Sequence, residues 1–316
     1  MSSILAVFGA TGKQGSSVVN YVLNDPELSR KYKIRAITRD VNSEKAKKLE
    51  EKVEVVRGDV LDRSSLGTAL AGVHTVFAVT TPFATNVPLF GPKGLESEYN
   101  QAKNIADAAV EQGAQYIIFS TLPSPTKISG GKWTSVTPFD AKEKAEQYIR
   151  GLPIKSAFVS PGGFMENYVD LGFWSPKRTP DGGWILVGSA SPKAEYPLVD
   201  AVGNTGNFVG AILAEPDKYE GKIFHAATAL YSWEEIAAII SKATGKNVVY
   251  KQTPVEELEK MIPFGAEVFI DGFQFMEEFG YYGPDSRKLI AWAVDNARGK
   301  LTTFEEYLST HPVQME

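Results

Sequence analysis

Gly9, Gly12 and Gly15 form a G-x-x-G-x-x-G run within Ile4-Leu-Ala-Val-Phe-Gly-Ala-Thr-Gly-Lys-Gln-Gly15. Glycine lets a backbone turn tightly and approach a pyrophosphate, and the unpaired amides that open a following helix attract an anion. The chemistry implied is the cradling of a dinucleotide's phosphates, with Thr11, Lys13 and Gln14 in the same loop. The spacing alone also serves a strand packed on a helix, so the flanks decide. Apolar residues from Ile4 onward read as a buried strand, and Val18, Val19, Val22 and Leu23 follow at helical spacing. Strand, loop and helix therefore agree on nucleotide binding.

Arg39 lies at the end of the second predicted strand, within Thr38-Arg39-Asp40. An arginine there can fork the 2′-phosphate of NADP, whereas a carboxylate takes the ribose hydroxyls of NAD. Arg39 favours NADP(H), with Lys13 able to add a second positive charge, and Asp40 keeps NAD(H) open. After the third strand, Asp59 suits an adenine amino group and Val60 can cover the ring. Asp59 and Asp62 equally suit a turn and a helix cap.

These residues need an alternating scaffold, and the chain supplies one. Strands are expected at Lys33–Thr38, Val53–Val56, Val73–Val79, Tyr116–Phe119 and Ser156–Ser160, with helices at Ser43 onward, Leu66–Leu70, Ala102–Ala109 and Asp140–Arg150. The fold class is α/β: a Rossmann-type doubly wound parallel sheet with a smaller mixed C-terminal subdomain. Residues 1–160 form the NAD(P)-binding domain and 161–316 the smaller substrate- or partner-binding part. Leu198–Asp200 and the helix over Phe208–Leu213, about 196–214 in all, are expected to return to the main sheet. Trp174 and Trp184 flank a hairpin or lid. The remainder reads as mostly helical, with capping boxes at Ser232/Glu235, Thr253/Glu256 and Thr303/Glu306.

With 33 basic against 38 acidic residues, a net charge of −5 and no basic run, direct nucleic-acid or anionic-lipid binding is not favoured. The absence of cysteine excludes disulfides, thiolate catalysis and Cys-based zinc sites. An early first strand and the lack of a membrane-length apolar run give the expectation of a soluble cytoplasmic protein, with the nucleus open.

The chain resembles the NmrA-like group of atypical short-chain dehydrogenase/reductases. The resemblance rests on Val7-Phe-Gly-Ala-Thr-Gly-Lys-Gln-Gly15, Ile37-Thr-Arg39, Gly58-Asp59, Phe139-Asp-Ala-Lys142 and Pro161-Gly-Gly-Phe-Met-Glu-Asn167. It implies a Rossmann fold binding NAD(P), with a C-terminal part that forms a cleft; some relatives are redox-sensing regulators of transcription factors, and others are NADPH-dependent reductases. Pro161, Phe164 and Asn167 fall at the cofactor under this resemblance. The superfamily's Tyr-x-x-x-Lys pair keeps its lysine as Lys142, but position 138 is proline and cannot donate a proton.

Lys142 is expected to hold the nicotinamide ribose or to act as general acid; it also fits a solvated charged face with Glu143, Lys144 and Glu146. Ser120 and Thr121 end the fifth strand, where a hydroxyl orients a substrate carbonyl or simply serves a turn. Tyr99 and Lys103 match the pair's spacing on the wrong element and are read as structural, as are His74, His225 and His311. Thr80 and Thr81 leave the fourth strand beside the cofactor, and Phe83, Phe90, Phe164 and Trp174 make the adjoining pocket apolar. Pro123–Pro138 is a mobile lid or an exposed insertion. The preferred function is an NADP(H)-binding redox sensor acting through a regulatory protein such as a transcription factor. The alternative is an NADPH-dependent reductase of an apolar carbonyl or conjugated molecule, using Lys142.

Overall fold

The computed structural model describes residues 2–81, 87–313 and 315, apart from the side chain of Phe173. The first half alternates: β1 (Ser3–Phe8), α1 (Lys13–Asn24), α2 (Leu28–Lys31), β2 (Tyr32–Thr38), α3 (Glu44–Glu50), β3 (Glu54–Arg57), α4 (Arg63–Ala69), β4 (Thr75–Ala78), α5 (Gly91–Glu111), β5 (Tyr116–Ser120), α6 (Pro125–Ile128), α7 (Thr137–Arg150) and β6 (Lys155–Pro161). The second half is mixed. It runs β7 (Gly163–Phe164), α8 (Asn167–Asp170), β8 (Lys177–Arg178), β9 (Trp184–Gly188), β10 (Glu195–Val199), α9 (Ala201–Ala214), β11 (Ile223–Ala226) and β12 (Ala229–Ser232). It ends with α10 (Trp233–Thr244), β13 (Val248–Gln252), α11 (Val255–Met261), α12 (Ala266–Phe279), α13 (Ser286–Asn296) and α14 (Phe304–Thr310).

The main sheet has the order β11-β6-β5-β4-β1-β2-β3, parallel throughout. Its inner strands are buried on both faces, Leu5, Ala6, Val7 and Phe8 in β1 being at most 2% exposed, which is why they read as unbroken apolar runs. Strand order reverses between β1 and β4, and such a switch point opens a crevice at the carboxyl ends of the strands. One layer of the core packs α1 and α9 on the sheet; a second packs α4, α5 and α7 on the other face. The close approach of α9 to α1 depends on Gly206 and Gly210, where a Cβ would come within 2.4 Å of the Tyr21 side chain.

The smaller sheets correct two expectations. Strand β10, which includes Leu198, pairs with β7 and β12 instead of joining the main sheet; only the helix that follows returns, and the seventh main-sheet strand is β11. Thr253 forms no capping box, because Pro254 takes the N-cap position of α11. The boxes at Ser232/Glu235 and Thr303/Glu306 both form, and β8 and β9 make the hairpin expected between Trp174 and Trp184.

His225 on β11 stacks edge-on to Tyr282, its Nδ1 has no partner among the described residues, and burial pushes its pKa down to about 4. With the folded value below the ordinary 6.5, the stability tied to its neutral form is complete above pH 6.5 and is lost as pH falls through about 4. Replacement by leucine is expected to flatten that acid-side slope by about 2 kcal/mol. Urea unfolding of both proteins at pH 7.5 and 4.5 measures it.

Candidate active site

The glycine loop connects β1 to α1 at the switch point. Gly9 adopts φ 63°, and its carbonyl accepts a 2.8 Å hydrogen bond from the Gly12 amide. A Cβ on Gly15 would lie 2.2 Å from the same carbonyl oxygen, so the third glycine closes the helix onto the loop. The N-cap of α1 makes no side-chain hydrogen bond, and the first turn carries no acidic residue. Its opening amides therefore suit an anion, as the pyrophosphate reading requires.

Beside the loop lies a hollow of about 540 Å³, bordered by Gly9, Thr11, Gly12, Arg39, Asp40, Val60 and Thr81. Lys13 turns elsewhere, to a 2.7 Å ion pair with Asp170. Asp59 is not on the hollow's wall; its carboxylate accepts from the Leu61 amide at 3.0 Å, while Asp62 caps α4 through the Ser64 amide. Gln101, which carried no sequence signal, holds Thr81 in place by donating to its carbonyl at 3.1 Å.

A second cavity, of about 470 Å³, lies over the ends of β5 and β6. Gln14, Thr80, Ser120, Lys142, Pro161, Phe164 and Asn167 border it, as do Phe90 and Trp174, all drawn together from the sequence expectations. Pro82 and Phe83 lie outside the described residues. The outer wall, which the sequence did not reveal, is aromatic: Tyr196, Phe269, Phe273 and Tyr281, with Met276. Ser120 donates to Gln14 Oε1 at 2.8 Å, tying strand end to glycine loop. Thr121 faces away, its hydroxyl directed at the Leu122 and Lys142 carbonyls, and it does not border the cavity.

Lys142 is held on three sides. Its ammonium lies 2.8 Å from Glu98 Oε1 and donates to the Thr80 carbonyl and hydroxyl oxygens, each at 3.0 Å. Thr80 Oγ1 in turn donates to Glu98 at 2.9 Å. The Glu98 side chain is 1% exposed and that of Lys142 11%, so this is a buried ion pair rather than a solvated helix face. Glu98 Oε2 has no partner among the described residues. Pro138 sits in the first turn of α7 at the cavity wall, where the superfamily tyrosine would stand. Lys103 binds Asp107 and the Tyr148 hydroxyl, so it forms no catalytic pair with Tyr99.

Within the Phe-Met-Glu-Asn segment, Glu166 is structural: its carboxylate accepts from the Ala201 and Val202 amides and caps α9. Burial, acting before these bonds, still holds its carboxyl above the usual range. The Pro123–Pro138 segment contains α6 and is pinned to both sides. Ser124 and Thr126 donate to Asp140 on α7, and Lys132 and Trp133 donate to Glu278 on α12.

Sheet order, glycine loop and crevice define a doubly wound, nucleotide-binding type of α/β fold. The chain belongs to the NmrA-like family, whose model matches residues 1–308. It is 29% identical over 317 residues to an NmrA-like family domain-containing protein of Dictyostelium discoideum, covering 98% of this chain and 97% of that protein. It is 26% identical over 312 residues to the NmrA-like family domain-containing oxidoreductase lnaB of Aspergillus flavus, covering 93% and 89%. Two solved structures share the fold. NmrA, a negative transcriptional regulator in complex with NADP, superposes with TM-score 0.78 at 23% identity over 99% of this chain and 96% of that one. A triphenylmethane reductase of Citrobacter sp. complexed with NADP(H) gives 0.75 at 22% over 98% and 99%.

Proposed function

We propose that the protein is an NADP(H)-dependent oxidoreductase that reduces a neutral, apolar small molecule. The observation that carries this reading is the aromatic cavity, which borders Lys142, Ser120 and Gln14 at the strand ends. Nucleotide binding falls to residues 1–160 and most of the substrate wall to residues 161–316. Several relatives are named oxidoreductases, and the Citrobacter reductase was solved with NADP(H). A cytoplasmic or nuclear setting goes with this reading.

When bound, the reduced nicotinamide supplies hydride. The opening amides of α1 would hold the diphosphate, and Arg39 would bind the 2′-phosphate. Lys142, fixed by Glu98 and Thr80, would present a cation to the ribose, and the aromatic walls would exclude water from the reacting atoms. Arg39→Ala is expected to weaken NADPH binding by about 10- to 100-fold, the size of a lost charge-assisted contact, and to leave NADH binding nearly unchanged. Calorimetry with both nucleotides checks this.

NADPH oxidation screened over aryl ketones, enals and quinones tests the function, with turnover expected for at least one class. A regulatory reading draws on the proline at position 138 and on the fold shared with NmrA. It gains the upper hand if no compound turns over and a regulatory protein is captured in one cofactor state only.

A further inference from the structure

Tyr196 is set in the cavity wall, and its hydroxyl is not among the buried polar atoms of the described residues. The residue is 7% exposed, borders the cavity, and makes no hydrogen bond through its hydroxyl among the described residues. Its ring is stacked on Trp233 at 5.3 Å and on Trp174 at 6.1 Å, nearly parallel to both, which holds it in place on the cavity wall. The hydroxyl lies over Gly163, where a Cβ would come within 2.3 Å of the oxygen. Gly163 also borders the cavity, so the backbone is bare where the hydroxyl crosses it. The neighbouring Tyr281 differs: its hydroxyl donates to the Pro161 carbonyl at 3.1 Å. A hydroxyl that opens on a cavity and is unused by the protein is left to pair with whatever fills that cavity. Burial raises the Tyr196 pKa, which keeps the phenol a neutral donor.

We infer that Tyr196 donates a hydrogen bond to an oxygen of the bound substrate. The chemistry of the walls then defines the substrate class as a neutral ring compound bearing a carbonyl or ether oxygen. Lys142 is the only charged side chain among the described residues that border the cavity, and Glu98 already neutralises it. A charged ligand would find no counter-ion. The inference rests on the function proposed above for what happens to the molecule, and on the cavity alone for how it is held.

The test compares 2-acetonaphthone with 2-ethylnaphthalene, which are similar in size and differ by one carbonyl, through quenching of tryptophan emission in the presence of NADP+. Tyr196→Phe, which keeps the stacked ring, is expected to reduce the ketone-to-hydrocarbon affinity ratio by about three- to tenfold, the worth of one neutral hydrogen bond, with hydrocarbon affinity unchanged. Gly163→Ala, whose methyl pushes on the same ring, is expected to weaken both probes. An unchanged ratio in Tyr196→Phe, or failure of the native protein to bind either probe up to its solubility limit, overturns the inference. Parallel NADPH titration separates the outcomes: intact nucleotide binding with an unchanged ratio removes only the role of Tyr196. Loss of nucleotide binding in the native protein removes the oxidoreductase reading instead.

Discussion

Gly15→Ala is expected to lose NADPH affinity by at least 100-fold while the protein still folds. A methyl at this position would meet three backbone atoms of the loop, Gly9 O at 2.2 Å, Gly9 C at 2.4 Å and Ala10 N at 2.8 Å, none of which can rotate away as a side chain would. Relief requires α1 to move off the loop, which misdirects the amides that hold the diphosphate. Overpacking of this kind costs about 1–3 kcal/mol, and displaced anion contacts add to it in the binding measurement. Calorimetric titration, with circular dichroism to confirm the fold, reads the effect. Gly12→Ala provides the contrast: its added methyl would lie 3.3 Å from the Gly9 carbonyl, a contact small adjustments can accommodate.

Glu98→Ala is expected to lower stability by about 3–5 kcal/mol, since it leaves the Lys142 ammonium largely buried with only the Thr80 oxygens around it. The same change frees Lys142 to move, so nucleotide affinity falls with stability. The paired replacement Glu98→Leu with Lys142→Met removes both charges and is expected to recover most of the stability but not the nucleotide affinity. Urea unfolding of the single and double variants, alongside NADPH titration, separates the two effects. Equal stability losses in Glu98→Ala and in the double variant would show that the charges do not act as a pair.

Much of the nucleotide half was legible because its signals are local. Parallel strands buried on both faces read as apolar runs, and a loop between strand and helix keeps its glycines contiguous. The placement of β10 was not legible, since Tyr196–Val199 is equally apolar in either sheet and only pairing with Gly163–Phe164 distinguishes them. A strand around Phe224 and His225 was legible, but four residues carry no signal of the sheet they join, so its place as the seventh strand of the main sheet was not. Glu98 was hidden by its neighbours: among Glu96, Tyr99 and Lys103 it resembles a solvated helix residue, and its burial depends on α7 packing across α5. The aromatic wall was hidden differently. The periodicity of Phe269, Phe273 and Met276 indicates a helix face, but not that the face closes over strand ends more than a hundred residues earlier.

The reduced nicotinamide's own fluorescence tests the central claim most directly, because it reports binding and surroundings together. Titrating the protein into NADPH is expected to enhance and blue-shift that emission, with saturation in the micromolar range, as the ring enters the largely apolar cavity beside Lys142 and Phe164. No change in emission or in bound NADPH at millimolar concentrations would contradict the account.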